Sequence, residues 1–212
     1  MNIPEELVSH TRCLILFARQ PLAGQVKTRL ESALGIEGTL ALYRRMLEKQ
    51  ITLVNQYTNA NCQLWVDGDT GHNDFSEFKG LAFQQCGDDL GQRMSHAIDH
   101  ALKQHDRAIL IGCDCPQYSH DYFERAFLAL EQGADVVLGP AMDGGYVLVG
   151  LRRSHQEIFH GIQWGSAGVM KQTRERINAL GLQYHELETL HDIDEPQDLY
   201  LLEDTSMLQG LK

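Results

Sequence analysis

The chain has 212 residues, enough for one well-buried domain and short for two. Its 18 Lys and Arg face 29 Asp and Glu, a formal net charge of −11, so a nucleic-acid polymer or an anionic membrane surface is a poor partner. Five cysteines without a C-x-x-C pair, no secretory leader and no run near the roughly 20 apolar residues that cross a bilayer predict a reduced, cytoplasmic protein without membrane insertion.

Residues 1–12 are polar and read as an N-terminal extension, with a single domain over 13–212. Residues 13–18 form a continuous apolar run, the pattern of a central parallel strand buried on both faces. In 37–56, Leu40, Tyr43, Leu47, Ile51 and Val54 recur at three-and-four spacing, which predicts an amphipathic helix. Residues 63–67 and 82–85 read as strands, and 90–105 as a helix. A second buried strand, 107–112, is followed by a helix at 122–130 and strands at 135–139 and 146–151. A helix at 169–180 with Gly181 as its C-cap, a strand at 182–187 and a helix opened by Pro196 complete the order. Strands alternating with helices imply an α/β domain with a mainly parallel sheet covered on both faces. Ligands of such sheets gather beyond the carboxyl ends of the strands.

The segments at those ends carry the chemistry. Ala18 leads into Arg19, Gly24, Lys27 and Arg29. A strand, a loop and a helix start leave backbone N–H groups unpaired, and with the helix dipole they favour an anion. Lys27 and Arg29, two residues apart, are within reach of one phosphate chain. The segment is not a Walker loop, and a solvated basic turn is the alternative.

Asp114 directly follows the buried strand at 107–112, and Pro116 stops that strand. Such a carboxylate suits Mg²⁺ or Mn²⁺ shared with substrate phosphates, or else it caps a turn. Cys113 and Cys115 read as buried spectators, since two thiolates alone make a poor zinc site. Asp143-Gly144-Gly145 joins two strands, either as a plain hairpin turn or as a place where a ligand approaches the backbone.

Asp89, Gly91 and Arg93 open a helix and suit contact with a base or ribose, or serve only to start that helix. His96 and His100 read as a solvated helix face. Near the C-terminus Asp194 reads as an N-cap, and Asp192 is the better candidate for the site.

Taken in order, Phe17-Ala18-Arg19-Gln20-Pro21 with Gly24-x-Val26-Lys27-Thr28-Arg29-Leu30, Asp89-Leu90-Gly91-x-Arg93-Met94, and Gly112-x-Asp114-Cys115-Pro116 resemble the motifs of a known family. Gly139-Pro140-x-x-Asp143-Gly144-Gly145-Tyr146, Gln163-Trp164 and Asp192-x-Asp194 continue the series. The family is that of the selenodomain-associated, or arsenosugar-biosynthesis, glycosyltransferases, within the nucleotide-diphospho-sugar transferase superfamily. The resemblance implies a single-domain GT-A type fold, a Rossmann-like three-layer sandwich whose sheet is mainly parallel but mixed. It also implies a divalent metal at Asp114, which is expected to be Mg²⁺ or Mn²⁺ held with help from Asp143 or Asp192. Typical glycosyltransferases carry a D-x-D metal motif, whereas Asp114-Cys115-Pro116 offers one carboxylate. The Lys27-Thr28-Arg29 loop is more similar to the phospholactate and molybdenum-cofactor guanylyltransferases.

The function so implied is metal-dependent transfer from a nucleotide-activated substrate. Glycosyl transfer from a nucleoside-diphosphate sugar to a small-molecule acceptor comes first. Nucleotidylyl transfer with release of pyrophosphate comes second, and a non-catalytic nucleotide-binding module third. Lys27, Arg29 and Asp143 are the expected catalytic residues, and Asp114 and Asp192 the metal ligands. Ala18, Arg19, Gly24, Lys27, Arg29, Asp89, Gly91, Arg93, Gly144 and Gly145 are expected to hold the nucleotide.

Overall fold

The computed structural model describes residues 11–202 and 205–211. Seven strands form one sheet: β1 (Arg12–Arg19), β2 (Asn61–Asp67), β3 (Leu81–Gln84), β4 (Arg107–Gly112), β5 (Val136–Pro140), β6 (Tyr146–Leu151) and β7 (Tyr184–Glu186), in the order β3-β2-β1-β4-β6-β5-β7. The apolar run expected as a central strand is β1, hydrogen-bonded in parallel to β2 on one side and β4 on the other. Only β6 runs against the rest, antiparallel to both β4 and β5, which is the mixed strand that the resemblance implied.

Two apolar layers enclose the sheet, because successive strand residues face opposite sides. Leu14, Leu16, Ile109 and Ile111 pack beneath helices α1 (Glu31–Gln56) and α3 (His120–Glu131). Ile15, Phe17, Leu110 and Val149 pack beneath α2 (Leu90–Leu102) and α4 (Val169–Ala179). The inward face of α1 is the one its periodicity predicts, with Leu40, Tyr43, Leu47, Ile51 and Val54 all buried. That helix begins earlier than its pattern shows, because Gly35 adopts φ 69° and joins a short first turn to the main helix.

Arg12 corrects the expected boundary at residue 13. It is the first residue of β1, 3% exposed, and its guanidinium pairs with Glu124 and Glu131, each at 2.8 Å. The expected extension at 1–12 otherwise lies almost wholly outside the described residues. The helix expected after Pro196 is a 3-10 turn, Pro196–Leu201. Among the described residues no helix is long and apolar enough to cross a membrane.

Candidate functional site

The loops beyond β1, β2, β4 and β5 meet in one cleft of about 750 Å³. At its base Lys27 reaches two carboxylates, Nζ lying 2.7 Å from Asp114 Oδ2 and 3.2 Å from Asp194 Oδ1. Arg29 donates to the other oxygen of Asp194 at 2.5 Å. The basic loop and the carboxylates expected at separate strand ends are thus in direct contact.

Backbone conformation puts them there. Lys27 has φ 49° and ψ 37°, and among the described residues it alone is non-glycine with positive φ. A lysine in the left-handed region costs about 1 kcal/mol, and such outliers gather at functional sites. The kink turns its side chain inward, so that it is only 9% exposed while Arg29 is 58% exposed. The helix start expected after the loop is a single 3-10 turn, Thr28–Leu30. Tyr43 on α1 fastens the end of β1, its hydroxyl accepting from Arg19 N–H and donating to Arg19 C=O.

Glycines make room for the carboxylates. A Cβ on Gly112 would stand 2.8 Å from Asp114 Oδ1, and one on Gly145 would stand 3.1 Å from Asp143 Oδ1. Gly145 N–H donates to that Asp143 oxygen at 2.8 Å. The Asp143–Gly145 segment is the β5–β6 hairpin turn, and Asp143 and Gly145 line the cleft.

The charges are coupled. Burial alone would lower the pKa of Lys27, but Asp114 and Asp194 outweigh it and raise it above the ordinary lysine value. Burial likewise pushes Asp114 up, and Lys27 outweighs it, holding that carboxyl below the usual range. Asp192 makes no ion pair among the described residues, and Lys27 offsets its surroundings only in part. Burial first, then the negative charges of Asp114 and Asp143, push it up to about 6.

The cleft extends along β1 toward β2. There Arg93 Nη1 lies 2.8 Å from Asp67 Oδ2, and its Nε donates to Gly87 C=O. Arg19 points outward, 3.7 Å from the same Asp67 oxygen. Gln85 donates to the carbonyls of Ala18 and Trp65, tying the ends of β1 and β2 together. Asp89 lines the cleft and caps α2, accepting from Gln92 N–H at 2.8 Å.

Of the expected residues, Ala18, Arg19, Lys27, Arg29, Asp89, Arg93, Asp114, Asp143, Gly145 and Asp192 border the cleft. Gly24, Gly91 and Gly144 are not among its lining residues. Gly24 turns the loop at φ 72° in open space. Gly91 lies under the Trp164 indole, where a Cβ would be 2.7 Å from Cζ2, and Gly144 packs on the Ala167 carbonyl.

Asp194 is a correction. The N-cap position belongs to Glu195, and the Asp198 carboxylate accepts from the N–H groups of Asp194 and Glu195. The Asp194 side chain is thereby free to grip Lys27 and Arg29. Alternation was the signal: Ile193 is fully buried, so Asp192 and Asp194 face the other way, into the cleft. His96 is exposed and His100 half-buried, in keeping with a solvated helix face, and both stand edge-on to Trp65 at 5.5 and 5.4 Å.

Seven aspartates line the cleft against four basic side chains, Arg19, Lys27, Arg29 and Arg93. A polyphosphate would meet a net negative surface unless a cation came with it. Among the described residues no three His, Cys, Asp or Glu side chains are grouped to hold a metal unaided. Carboxylate oxygens with Asp192 short of a cation nevertheless fit Mg²⁺ or Mn²⁺, which take one or two carboxylates together with substrate phosphates.

The family of uncharacterized proteins conserved in bacteria, DUF2064, matches residues 50–166. A solved structure from Desulfovibrio desulfuricans G20, provisionally described as a nucleotide-diphospho-sugar transferase, is 32% identical with a TM-score of 0.83, covering 94% of this chain and 89% of that one. Two others share the fold. Glucosyl-3-phosphoglycerate synthase from Mycobacterium tuberculosis, in complex with Mn²⁺, uridine diphosphate and glucosyl-3-phosphoglycerate, is 10% identical with a TM-score of 0.57 over 95% of this chain and 77% of its own. A cytidylyltransferase from Leptospira borgpetersenii serovar Hardjo-bovis is 15% identical with a TM-score of 0.59 over 95% and 89%. No curated protein matches the chain.

Proposed function

Since the chain belongs to the DUF2064 family, within the nucleotide-diphospho-sugar transferase superfamily, we propose that it is a metal-dependent glycosyltransferase using a nucleoside-diphosphate sugar. One observation carries this reading. Lys27 and Arg29 converge with Asp114, Asp192 and Asp194 at the ends of the central strands, in a cleft that continues past Arg93 and Asp67. Cations and carboxylates side by side suit a metal diphosphate, and the extension suits the nucleoside.

Asp114 and Asp192 hold Mg²⁺ or Mn²⁺ in this reading, which when bound supplies Lewis-acid stabilisation of the leaving diphosphate. Ala18, Arg19, Asp89, Arg93 and Gly145 border the rest of the donor. Lys27 and Arg29 meet the charge that grows on the diphosphate as the anomeric carbon–oxygen bond breaks and its electron pair passes to the phosphate oxygen. Pre-placed charge of this kind contributes on the order of 10²-fold or more to rate for each group. Asp143, exposed at the hairpin tip, accepts the acceptor's hydroxyl proton as that oxygen bonds to the anomeric carbon. The nucleoside diphosphate leaves.

A second reading is nucleotidylyl transfer, in which an anionic substrate attacks the α-phosphorus of a nucleoside triphosphate and pyrophosphate leaves. The buried ammonium of Lys27 beside Asp114 favours it, since a fixed cation there would offset charge at that phosphorus. The leaving group separates the two. The protein is incubated with Mn²⁺, a panel of nucleoside-diphosphate sugars and nucleoside triphosphates, and mixed acceptors. Release of nucleoside diphosphate supports glycosyl transfer, and release of pyrophosphate overturns it. Unchanged turnover in both Lys27→Ala and Asp114→Ala would remove the site assignment altogether.

A further inference from the structure

Across the cleft from Lys27 the lining changes character. The α2/α4 side is floored by Met94, Leu110 and Val149, which are 4%, 5% and 0% exposed. Above them stand Tyr146 and Trp164, packed edge to face with ring centroids 6.3 Å apart, and Leu90, 45% exposed. The indole rests on Gly91, where any side chain would displace it. The wall is thus apolar, aromatic and held in place from behind.

Charge sharpens the contrast. Every basic side chain lining the cleft among the described residues already faces an acidic partner, Arg93 included, which stands on α2 between the wall residues Leu90 and Met94. Lys27 and Arg29 are held by Asp114 and Asp194, Arg93 is directed at Asp67 and Gly87 C=O, and Arg19 extends beside Asp67. Beside the wall stand Asp143 at the hairpin and Asp88 and Asp89 before α2, with Arg93 on α2 turned to Asp67. A phosphorylated or carboxylated molecule seated on Trp164 would meet several carboxylates and, among the described lining residues, only basic side chains that already have acidic partners, and a mismatch of that kind is how a site rejects a ligand. A neutral molecule with a flat apolar face would instead bury that face on the indole and leave a hydroxyl for Asp143.

We propose that the acceptor of the transfer is an uncharged alcohol presenting a flat apolar face, seated on Trp164 and Tyr146, and that phosphorylated acceptors are excluded. This rests on the glycosyltransferase reading above and names the substrate class that reading leaves open. The roles divide accordingly: Lys27 and Arg29 face the donor's diphosphate, and Trp164 and Tyr146 receive the neutral nucleophile.

The test is ligand-observed NMR, with phenyl β-D-glucoside, methyl β-D-glucoside, glucose 6-phosphate and 3-phosphoglycerate as probes. Each is titrated into the protein alone and into protein saturated with uridine or guanosine diphosphate and Mn²⁺. Phenyl glucoside should bind, with methyl glucoside roughly tenfold weaker, and the two phosphorylated probes should not bind at the wall. Trp164→Ala should weaken phenyl glucoside at least about tenfold, while Trp164→Phe retains most of its affinity. Circular dichroism and unchanged nucleotide affinity verify that the variants are folded.

Equal or tighter binding of either phosphorylated probe overturns the proposal, as does a Trp164→Ala variant that binds phenyl glucoside normally. Failure of the underlying reading is a separate observation, namely no nucleoside diphosphate released from any donor. Because the probes are also titrated into the free protein, the ligand preference of the Trp164 wall is decided in that case too.

Discussion

Lys27 donates its ammonium to Asp114 Oδ2 at 2.7 Å, so the side chain expected to hold phosphate and the one expected to hold metal are paired with each other. Asp194 completes the arrangement at 3.2 Å. A lysine lodged among carboxylates is a resident cation, and a divalent ion approaching Asp114 competes with it. Lys27→Met should therefore strengthen Mn²⁺ binding in the absence of nucleotide, by about tenfold or more. The same change should weaken nucleotide binding. It should also lower stability by on the order of 2 kcal/mol, less than for a fully buried pair because Asp114 is about a third exposed. Electron paramagnetic resonance titration of Mn²⁺ reads the first effect, and equal affinities in the two proteins would contradict it.

The second expectation concerns pH. Asp192 is raised from 3.8 to about 6 by burial and by Asp114 and Asp143, so the folded protein binds this proton more tightly than the unfolded chain does. The destabilising ionisation is then absent below about pH 4, grows between about 4 and 6, and is fully present above that. Asp192→Asn should raise the melting temperature at pH 7.5, and the gain should shrink to nothing as the pH falls to about 4. Added Mn²⁺ should stabilise the wild type more than the variant. Thermal melts across pH decide it, and a gain that is independent of pH would show that burial of this charge is not its source.

Two glycines separate conformation from packing. Gly24 has φ 72°, and a Cβ there would have nothing within 4 Å, whereas Gly144 has φ 89° and a Cβ there would lie 2.2 Å from the Ala167 carbonyl oxygen. Gly24→Ala should cost only the left-handed conformation, about 1 kcal/mol. Gly144→Ala adds a clash with backbone and should cost roughly 3 kcal/mol, shifting Asp143 with it. Urea unfolding of both variants tests this, and equal losses would mean that the Ala167 contact does not constrain the hairpin.

Much of this is readable in the sequence, for physical reasons. The run after Arg12 is apolar at every position because β1 is covered on both faces, and the period of α1 marks the side that meets the sheet. Lys27, Asp114 and Asp143 stand out because strand ends in such sheets are where side chains converge. Asp194 reads as a cap because an aspartate before a proline-opened turn is usually one, and only the fold shows Glu195 taking that position. The pairing of Lys27 with Asp114 spans 87 residues and depends on a left-handed backbone at Lys27, which no local pattern encodes. The same holds for Arg93 and Asp67, on different elements. Arg12 reads as the end of a polar segment because its partners, Glu124 and Glu131, lie more than 100 residues away.

The measurement closest to the heart of the matter is calorimetric titration of uridine and guanosine diphosphate, with and without Mn²⁺, into wild type and Asp114→Asn. If the cleft between Lys27 and Asp192 holds a metal–diphosphate complex, Mn²⁺ should tighten binding of at least one of these nucleotides by about tenfold or more in the wild type. Most of that gain should vanish in the variant. Nucleotide binding that ignores both the metal and the loss of Asp114 would place the nucleotide elsewhere.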